Sequence, residues 1–224
     1  MVSSKHIFWQ ALIFTILIFG IGLIFGYFLE SSRADKSQFS LMTSEINLLD
    51  DQIRSELIGK SNISCELAVK STFAFADKIY EDALQLEKFD AVSKFNRDNL
   101  LMLHKRYDLL RMMLWEEAIT LKKRCGGFHT VVYFFNYDPQ DVEMRARQAF
   151  FSRLLVDVKN DYPDKVLLIP VAGNVDLASV ELAMESYSLD SPSILVDEKI
   201  KFDEVVTLEE VESSMALNKT KSFS

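Results

Sequence analysis

The chain of 224 residues is poor in the residues that build metal centres and disulfide-rich domains. Two cysteines exclude a small domain held by many disulfides and a four-cysteine zinc site. The three histidines, His6, His104 and His129, lie far apart in sequence, so we expect neither a metal site nor a cofactor. A phosphate-binding loop, a dinucleotide glycine motif and a nucleophile elbow are absent from the sequence. The sequence therefore offers no candidate catalytic residues and favours a protein that is not an enzyme. An enzyme with catalytic residues scattered along the chain stays the alternative.

Basic residues are also scarce. Lys and Arg number 25 against 33 Asp and Glu, which gives a net charge of −8 and argues against nucleic acid as a partner. The imbalance lies in residues 126–224, with 9 basic and 17 acidic residues, whereas residues 1–125 carry 16 of each. Hydrophobic residues make up 49% of the chain, which excludes global disorder. We expect a folded protein of at least two modules.

Charge is missing from one long apolar run, Ile7–Leu29. A helix of this length rises roughly 34 Å, enough to cross the hydrocarbon core of a membrane. The run therefore predicts a single transmembrane helix over 7–29, preceded by an N-terminal tail over 1–6, with the lipid membrane as a partner. A buried core helix rarely runs this long without a charge. A cleaved signal peptide has a shorter apolar region and a small-residue cleavage pattern, which is not found near Glu30–Ala34.

Residues 30–125 predict a helical stalk and hairpin. The chain has no Pro or Gly between Leu29 and Ile58, and Gly59 is a credible stop signal. One helix face carries an apolar stripe at nearly coiled-coil spacing, which we expect to pack on the next two helices. Its members are Phe39, Met42, Ile46, Leu49, Ile53 and Leu57. The stripe and the pair Gly22 and Gly26 also allow a homodimer.

Helical spacing predicts two further helices, over about 64–88 and 97–124, joined by a turn near Phe95. In an antiparallel hairpin with that turn, Cys65 and Cys125 face each other, so we predict a disulfide between them rather than two unrelated thiols. A disulfide indicates an oxidising compartment, which places the N-terminus in the cytoplasm and the bulk of the chain outside it. Asn62 and Asn218 lie in glycosylation acceptor patterns, but such a short pattern arises often by chance and adds little to the argument for this orientation.

Residues 126–217 change from helical to alternating patterns and predict a compact α/β domain. The predicted element order is β-α-β-α-β-β-α. The strands are expected over 129–135, 165–171, 193–196 and 200–206, and the helices over 141–160, 177–187 and 207–217. Residues 218–224 are expected to form a flexible tail.

Two motifs within this order resemble the thioredoxin-like fold in its minimal form. HTVVYFFNYDPQD is similar to the family's first core strand and the start of its active-site helix, and LDSPSILVDE is similar to the segment around its cis-proline. The resemblance covers residues 128–217 and implies that Pro192 is the cis-proline. Active members carry a CxxC pair where this chain has Asp138-Pro139-Gln140-Asp141. Since a carboxylate cannot exchange disulfides, the redox activity is not expected here.

The two aspartates at this junction suit helix capping. Asp138 is placed at the N-cap, Pro139 at the first helical position and Asp141 at the third. A metal or general-base site is the alternative, but it lacks a third ligand nearby in sequence. Tyr137, Asp138 and Asp141, together with Ser191 and Pro192, are the candidates for an exposed binding groove.

The leading functional hypothesis is a membrane-anchored extracytoplasmic protein with a redox-inactive thioredoxin-like module. It would act by binding a protein partner, as an adaptor, an assembly factor or a chaperone-like component. One alternative is a membrane-tethered thiol–disulfide oxidoreductase that uses Cys65 and Cys125. Another is a structural envelope protein that self-associates.

Overall fold

A computed structural model describes residues 4–60, 63–92 and 97–217. In chain order its helices and strands are α1 (Ser4–Lys60), α2 (Cys65–Val92), α3 (Arg97–Cys125), β1 (His129–Phe135), α4 (Val142–Asp161), β2 (Val166–Ala172), α5 (Ala178–Ser186), β3 (Ser193–Val196), β4 (Ile200–Phe202) and α6 (Leu208–Ser214). The predicted turn near Phe95, the acceptor residues Asn62 and Asn218, and the tail 218–224 lie outside the described residues.

The chain divides into two compact units, Met1–Ile53 and Arg54–Ser224. The first unit consists of most of α1, which continues without a break to Lys60, one residue beyond the predicted stop at Gly59. The domain boundaries inferred from the sequence, at 29/30, 125/126 and 217/218, stay predictions.

The prediction of a transmembrane helix over 7–29 is wrong. In the part of the chain that the structure describes, no helix combines the length and the apolar character needed to cross a membrane. This finding corrects the fold class with its membrane helix. It also corrects the localisation as a single-pass protein with a cytoplasmic N-terminus and an extracytoplasmic bulk. The lipid contact expected through 7–29 stays a prediction.

The apolar stripe of α1 is exposed where its side chains are described. Ile46, Leu49 and Ile53 are each more than half exposed in the first unit, and so is Leu57 in the second. The expected packing of the stripe on α2 and α3 is therefore wrong for Leu57. The end of α1 instead uses a different face, on which Ile58 is buried. Self-association through the stripe stays a prediction.

The hairpin prediction is confirmed at its open end. The disulfide Cys65–Cys125 joins the first residue of α2 to the last residue of α3, so the two helices run antiparallel. A buried ionic contact holds the hairpin to the end of α1. Arg54 donates two hydrogen bonds to the Glu117 carboxylate, at 2.9 and 3.0 Å, and Thr72 Oγ1 donates a third at 2.6 Å.

The four strands form one mixed sheet in the order β2-β1-β3-β4. β1 pairs with β2 in parallel, with His129 opposite Val166, and with β3 in antiparallel, with Phe134 opposite Ser193. β3 pairs with β4 in antiparallel. The central strand β1 is the β-branched and aromatic segment HTVVYFF, whose five inner residues are buried, as a strand covered on both faces requires.

Helices cover both faces of the sheet. α4 and α6 pack on one face, in a core that includes Val131, Tyr133, Phe151, Leu155, Ile194 and Val211. On the other side α3 reaches the end of β2, where the buried Asp108 carboxylate accepts a hydrogen bond from the Ala172 N–H at 3.3 Å and pairs with Arg111 at 2.9 Å. Burial raises the pKa of Asp108 against the opposing effect of Arg111.

Candidate functional site

The junction between β1 and α4 is the position at which the resemblance expects the CxxC pair. α4 begins at Val142, and Asp141 is its N-cap, because the Asp141 carboxylate accepts hydrogen bonds from the Glu143 and Met144 N–H groups at 3.2 and 3.3 Å. The placement of the N-cap at Asp138 is therefore wrong. Asp138 instead lies in an exposed turn with a left-handed φ of 48°, three residues before the cap.

Tyr137 is held in place by two neighbouring segments. Its N–H donates to Asn174 Oδ1 at 2.6 Å, and Asn174 Nδ2 donates back to the Tyr137 carbonyl at 3.0 Å. Its ring lies 4.4 Å, centroid to centroid, from the ring of His104 in α3. Tyr137 is consequently half-buried between α3 and the loop after β2, rather than projecting freely into a groove.

Ser191 and Pro192 lie at the same end of the sheet. The Ser191–Pro192 peptide bond is cis, and Pro192 is buried directly before β3. Gly173 permits the close approach of this segment, since a Cβ at that position would lie 2.3 Å from Ser191 Oγ. The structure thus brings the predicted residues to one edge of the fold, while a groove formed by all five stays a prediction.

No thiol chemistry is available at this edge. The chain has two cysteines, and both belong to the Cys65–Cys125 disulfide. Cys125 precedes β1, whereas the β1–α4 junction follows it, so the length of the strand separates the disulfide from the junction. Within the described residues, no group of three or more His, Cys, Asp or Glu side chains is arranged to hold a metal ion. The junction therefore lacks the nucleophile that disulfide exchange requires.

Comparison with family models finds no match, and comparison with curated proteins finds none either. Among solved structures, thioredoxin O2 from Arabidopsis thaliana in its oxidised state is 18% identical to this chain. The likeness covers 47% of this chain and 86% of that one, with a TM-score of 0.31. The fold of the domain is therefore defined by its strand order and connections.

The topology is specific in its own right. A parallel β1–β2 pair is followed by antiparallel β3 and β4, α4 and α5 provide the crossovers, and a cis-proline precedes β3. The domain has a thioredoxin-like fold. The element order and Pro192 are as the resemblance predicted, and the end of β4 at Phe202, four residues early, is the largest difference among the strands.

A polar cluster lies at the opposite, amino-terminal end of β1. Lys122 Nζ of α3 donates to Thr130 Oγ1, to Asp197 Oδ1 and to Glu198 Oε2, at 2.7, 3.0 and 2.5 Å. His129 Nδ1 lies 2.7 Å from Asp197 Oδ2. Burial opposes ionisation of Asp197, but the hydrogen bonds from His129 and Lys122 outweigh it and lower the pKa of the carboxyl group. The cluster fastens α3 to the turn between β3 and β4.

An apolar concave surface, which we call the edge groove, lies over β2 between α2 and α4. Two adjoining cavities of about 260 and 220 Å³ form it. Tyr80 of α2, Val156 of α4, and Leu168 and Pro170 of β2 line both cavities. Tyr80 and Val156 remain 50% and 40% exposed. The groove therefore presents apolar surface to solvent.

The backbone of β2 is partly blocked at this outer edge. Lys159 Nζ donates to the Val166 carbonyl at 3.1 Å, Asp108 accepts from the Ala172 N–H, and Pro170 has no N–H to offer. Burial lowers the pKa of Lys159. A ligand in the edge groove would consequently be held mainly by side-chain contacts, rather than as an added strand.

Sequence reasoning missed the edge groove because α2, β2 and α4 contribute to it from positions up to 94 residues apart in the chain, from Ala76 to Pro170. The interruption of the strand KVLLIPV by Pro170 is a local signal for an edge strand, and it could have marked the sheet edge.

Proposed function

We propose that this protein acts by binding a polypeptide segment in the edge groove, as an adaptor or chaperone-like component whose thioredoxin-like domain performs no thiol chemistry at the β1–α4 junction. The observation that carries the proposal is the solvent-exposed apolar groove between the hairpin and the sheet edge. Both cysteines form a disulfide beyond the other end of β1. This supports the absence of thiol chemistry at the β1–α4 junction.

The dimensions of the groove favour a short extended peptide. Along α4 the lining residues run from Gln148 to Asn160, a helical rise of about 18 Å, which an extended chain covers in about five residues. The lining is apolar at its centre, with Arg111 towards one end and Asp77 and Lys159 towards the other. A peptide with two or three large apolar side chains fits this lining.

The expected affinity is modest. Two buried apolar side chains contribute about 3 to 6 kcal/mol, and contacts of the peptide backbone add to this, while ordering of the peptide opposes binding. A dissociation constant of tens of micromolar or weaker follows from this balance. Because the chain is acidic overall, basic residues flanking the apolar segment should speed association at low salt.

The test is fluorescence anisotropy with the full chain and a panel of labelled seven-residue peptides that carry apolar centres and basic ends. Val156→Arg places a charge in the centre of the groove and should weaken binding at least tenfold. Val205→Arg is the matched control, because Val205 is 71% exposed and does not line the groove. It should change the affinity less than twofold.

A second variant distinguishes the two ends of the domain. Val142→Arg alters the first residue of α4, beside the predicted loop site at Tyr137, Asp138 and Asp141. If binding is lost in this variant and kept in Val156→Arg, the edge groove is not the binding site and the loop site takes its place. If no peptide in the panel binds, or if all three variants bind like the unchanged protein, the edge groove is not a peptide-binding site.

A further inference from the structure

The Cys65–Cys125 disulfide borders an open cleft. Cys65 is exposed and Cys125 is half-buried at the surface. The cleft, of about 640 Å³, is lined by both cysteines, by Phe73 and by the consecutive Gly126 and Gly127. A Cβ at either glycine would meet no described atom within 4 Å, so the described residues leave the space beside the two glycines open. A disulfide with only a structural role needs no such access.

The two sulfurs have different surroundings. Arg124 Nε donates to Cys125 Sγ at 3.5 Å, and Arg124 Nη1 donates to the Ile58 carbonyl at 2.8 Å, which fixes the guanidinium beside that sulfur. Cys65 is the first residue of α2, where the helix dipole favours negative charge. A thiolate formed at Cys125 would be stabilised by a neighbouring cation, and one formed at Cys65 by the helix N-terminus.

We propose that Cys65–Cys125 is a reactive disulfide that an external dithiol reduces by attack at Cys65. A thiolate of the dithiol bonds to Cys65 Sγ, the Cys65–Cys125 bond breaks, and its electron pair leaves on Cys125 beside Arg124. The second thiolate of the dithiol then attacks its partner sulfur in the mixed disulfide and releases Cys65 as a thiolate. The dithiol is oxidised to a disulfide, both cysteines are reduced, and each thiolate takes a proton from solvent or from the buffer.

The direction of attack follows from access and leaving-group stability. Cys65 Sγ belongs to the more exposed cysteine, and attack there expels the sulfur beside the cation. Exchange is faster when the leaving thiol has a lower pKa. This activity is separate from peptide binding in the edge groove, and neither proposal depends on the other.

The test uses the full oxidised chain and reduced glutathione, with quenching by acid, alkylation and peptide mapping by mass spectrometry. Glutathione forms a mixed disulfide in the first step, and acid quenching at early times should trap the adduct mainly on Cys65. Arg124→Met should slow adduct formation about fivefold, whereas Arg124→Lys should restore most of the rate. Lys123→Met is the matched control, because it removes an equal charge from the adjacent exposed residue, and should stay within twofold.

Repeating the reaction in concentrated urea shows whether the effect of Arg124 depends on its contact with Cys125 in the folded protein, or only on its position next to Cys125 in the sequence. In unfolded protein Arg124→Met and the unchanged chain should react at nearly the same rate. The proposal is overturned if the adduct lies mainly on Cys125, or if Arg124→Met and Lys123→Met behave alike in the native state. It is also overturned if native protein reacts only at the rate at which it unfolds, since the disulfide is then purely structural.

Discussion

At the scale of single residues, several hydrogen bonds and ion pairs meet in the polar cluster at the amino-terminal end of β1. Asp197 accepts hydrogen bonds from Lys122 and from the Thr130 N–H at 3.1 Å, and it pairs with His129. Trp115 Nε1 donates to Glu198 at 2.9 Å. Asp197 and Glu198 form the turn between β3 and β4 with positive φ angles of 52° and 57°. Their side chains thus fasten a tight turn to α3.

Asp197→Asn is expected to lower the free energy of unfolding by about 1 to 3 kcal/mol near neutral pH, because Lys122 loses a charged partner. The folded-state pKa of Asp197 lies below 3.8, the ordinary value of an aspartate side chain, because hydrogen bonds from His129 and Lys122 favour the carboxylate. The stabilisation is therefore present above about that pH and is lost as the pH falls through the lower folded-state pKa. Urea unfolding of both proteins from pH 7 to pH 2.5 should show the difference shrinking only below about pH 4.

Asp203→Asn is the control for this prediction. Asp203 pairs with Lys201 at 2.9 Å, but its side chain is 56% exposed, so the same substitution should cost less than about 0.5 kcal/mol. Equal losses for the two variants, or a loss at Asp197 that does not change with pH, would contradict the role assigned to the cluster.

At the scale of elements, α4 depends on its first turn. It carries buried Phe151, Leu154, Leu155 and Val158 against the sheet, and its other side forms a wall of the edge groove. The Asp141 carboxylate satisfies two of the N–H groups that the start of a helix leaves without partners. The Asp141 N-cap therefore helps to hold α4 in place, and with it one wall of the edge groove.

Asp141→Ala should lower the free energy of unfolding by about 1 kcal/mol, the usual cost of removing an N-cap side chain. Asp138→Asn, in the turn before the cap, should change it by less than about 0.5 kcal/mol. Thermal and urea unfolding monitored by circular dichroism measure both changes. The opposite ranking would restore Asp138 as the N-cap and move the start of α4.

At the scale of the whole molecule, the disulfide joins the two ends of the hairpin at the entrance to the thioredoxin-like domain. It closes a segment of chain 60 residues long. Phe73 of α2 packs edge-on against Phe128, with centroids 5.6 Å apart, just before β1. The hairpin therefore packs against the domain close to the disulfide.

The Cys65→Ala and Cys125→Ala double variant should lose about 4 kcal/mol of stability, because an unfolded chain without the crosslink gains the entropy of a large open loop. Urea unfolding of the unchanged protein with a thiol reductant should reproduce that loss. A loss below about 1 kcal/mol in both measurements would mean that hairpin packing alone determines the stability of this region.

Local patterns predicted most of the elements. The β-branched run of β1 was assigned its observed bounds, and Ser193–Val196 likewise, because alternation and turn residues are local properties. The disulfide was predicted because, in an antiparallel hairpin, the position of the turn determines which residues of the two helices face each other. The transmembrane helix and the N-cap at Asp138 were wrong, since one relied on composition alone and the other on the position of Pro139.

The sequence by itself determined the order of elements, the cysteine pair and the absence of a thiol at the β1–α4 junction, because these follow from residue identity and short-range spacing. The tertiary structure alone decided which surfaces stay open. It left Tyr80 and Val156 exposed beside Leu168, it placed Arg124 against Cys125, and it joined Lys122 to Asp197. Such contacts depend on how separate elements pack, and the periodicity of one element does not specify the neighbour that its faces meet.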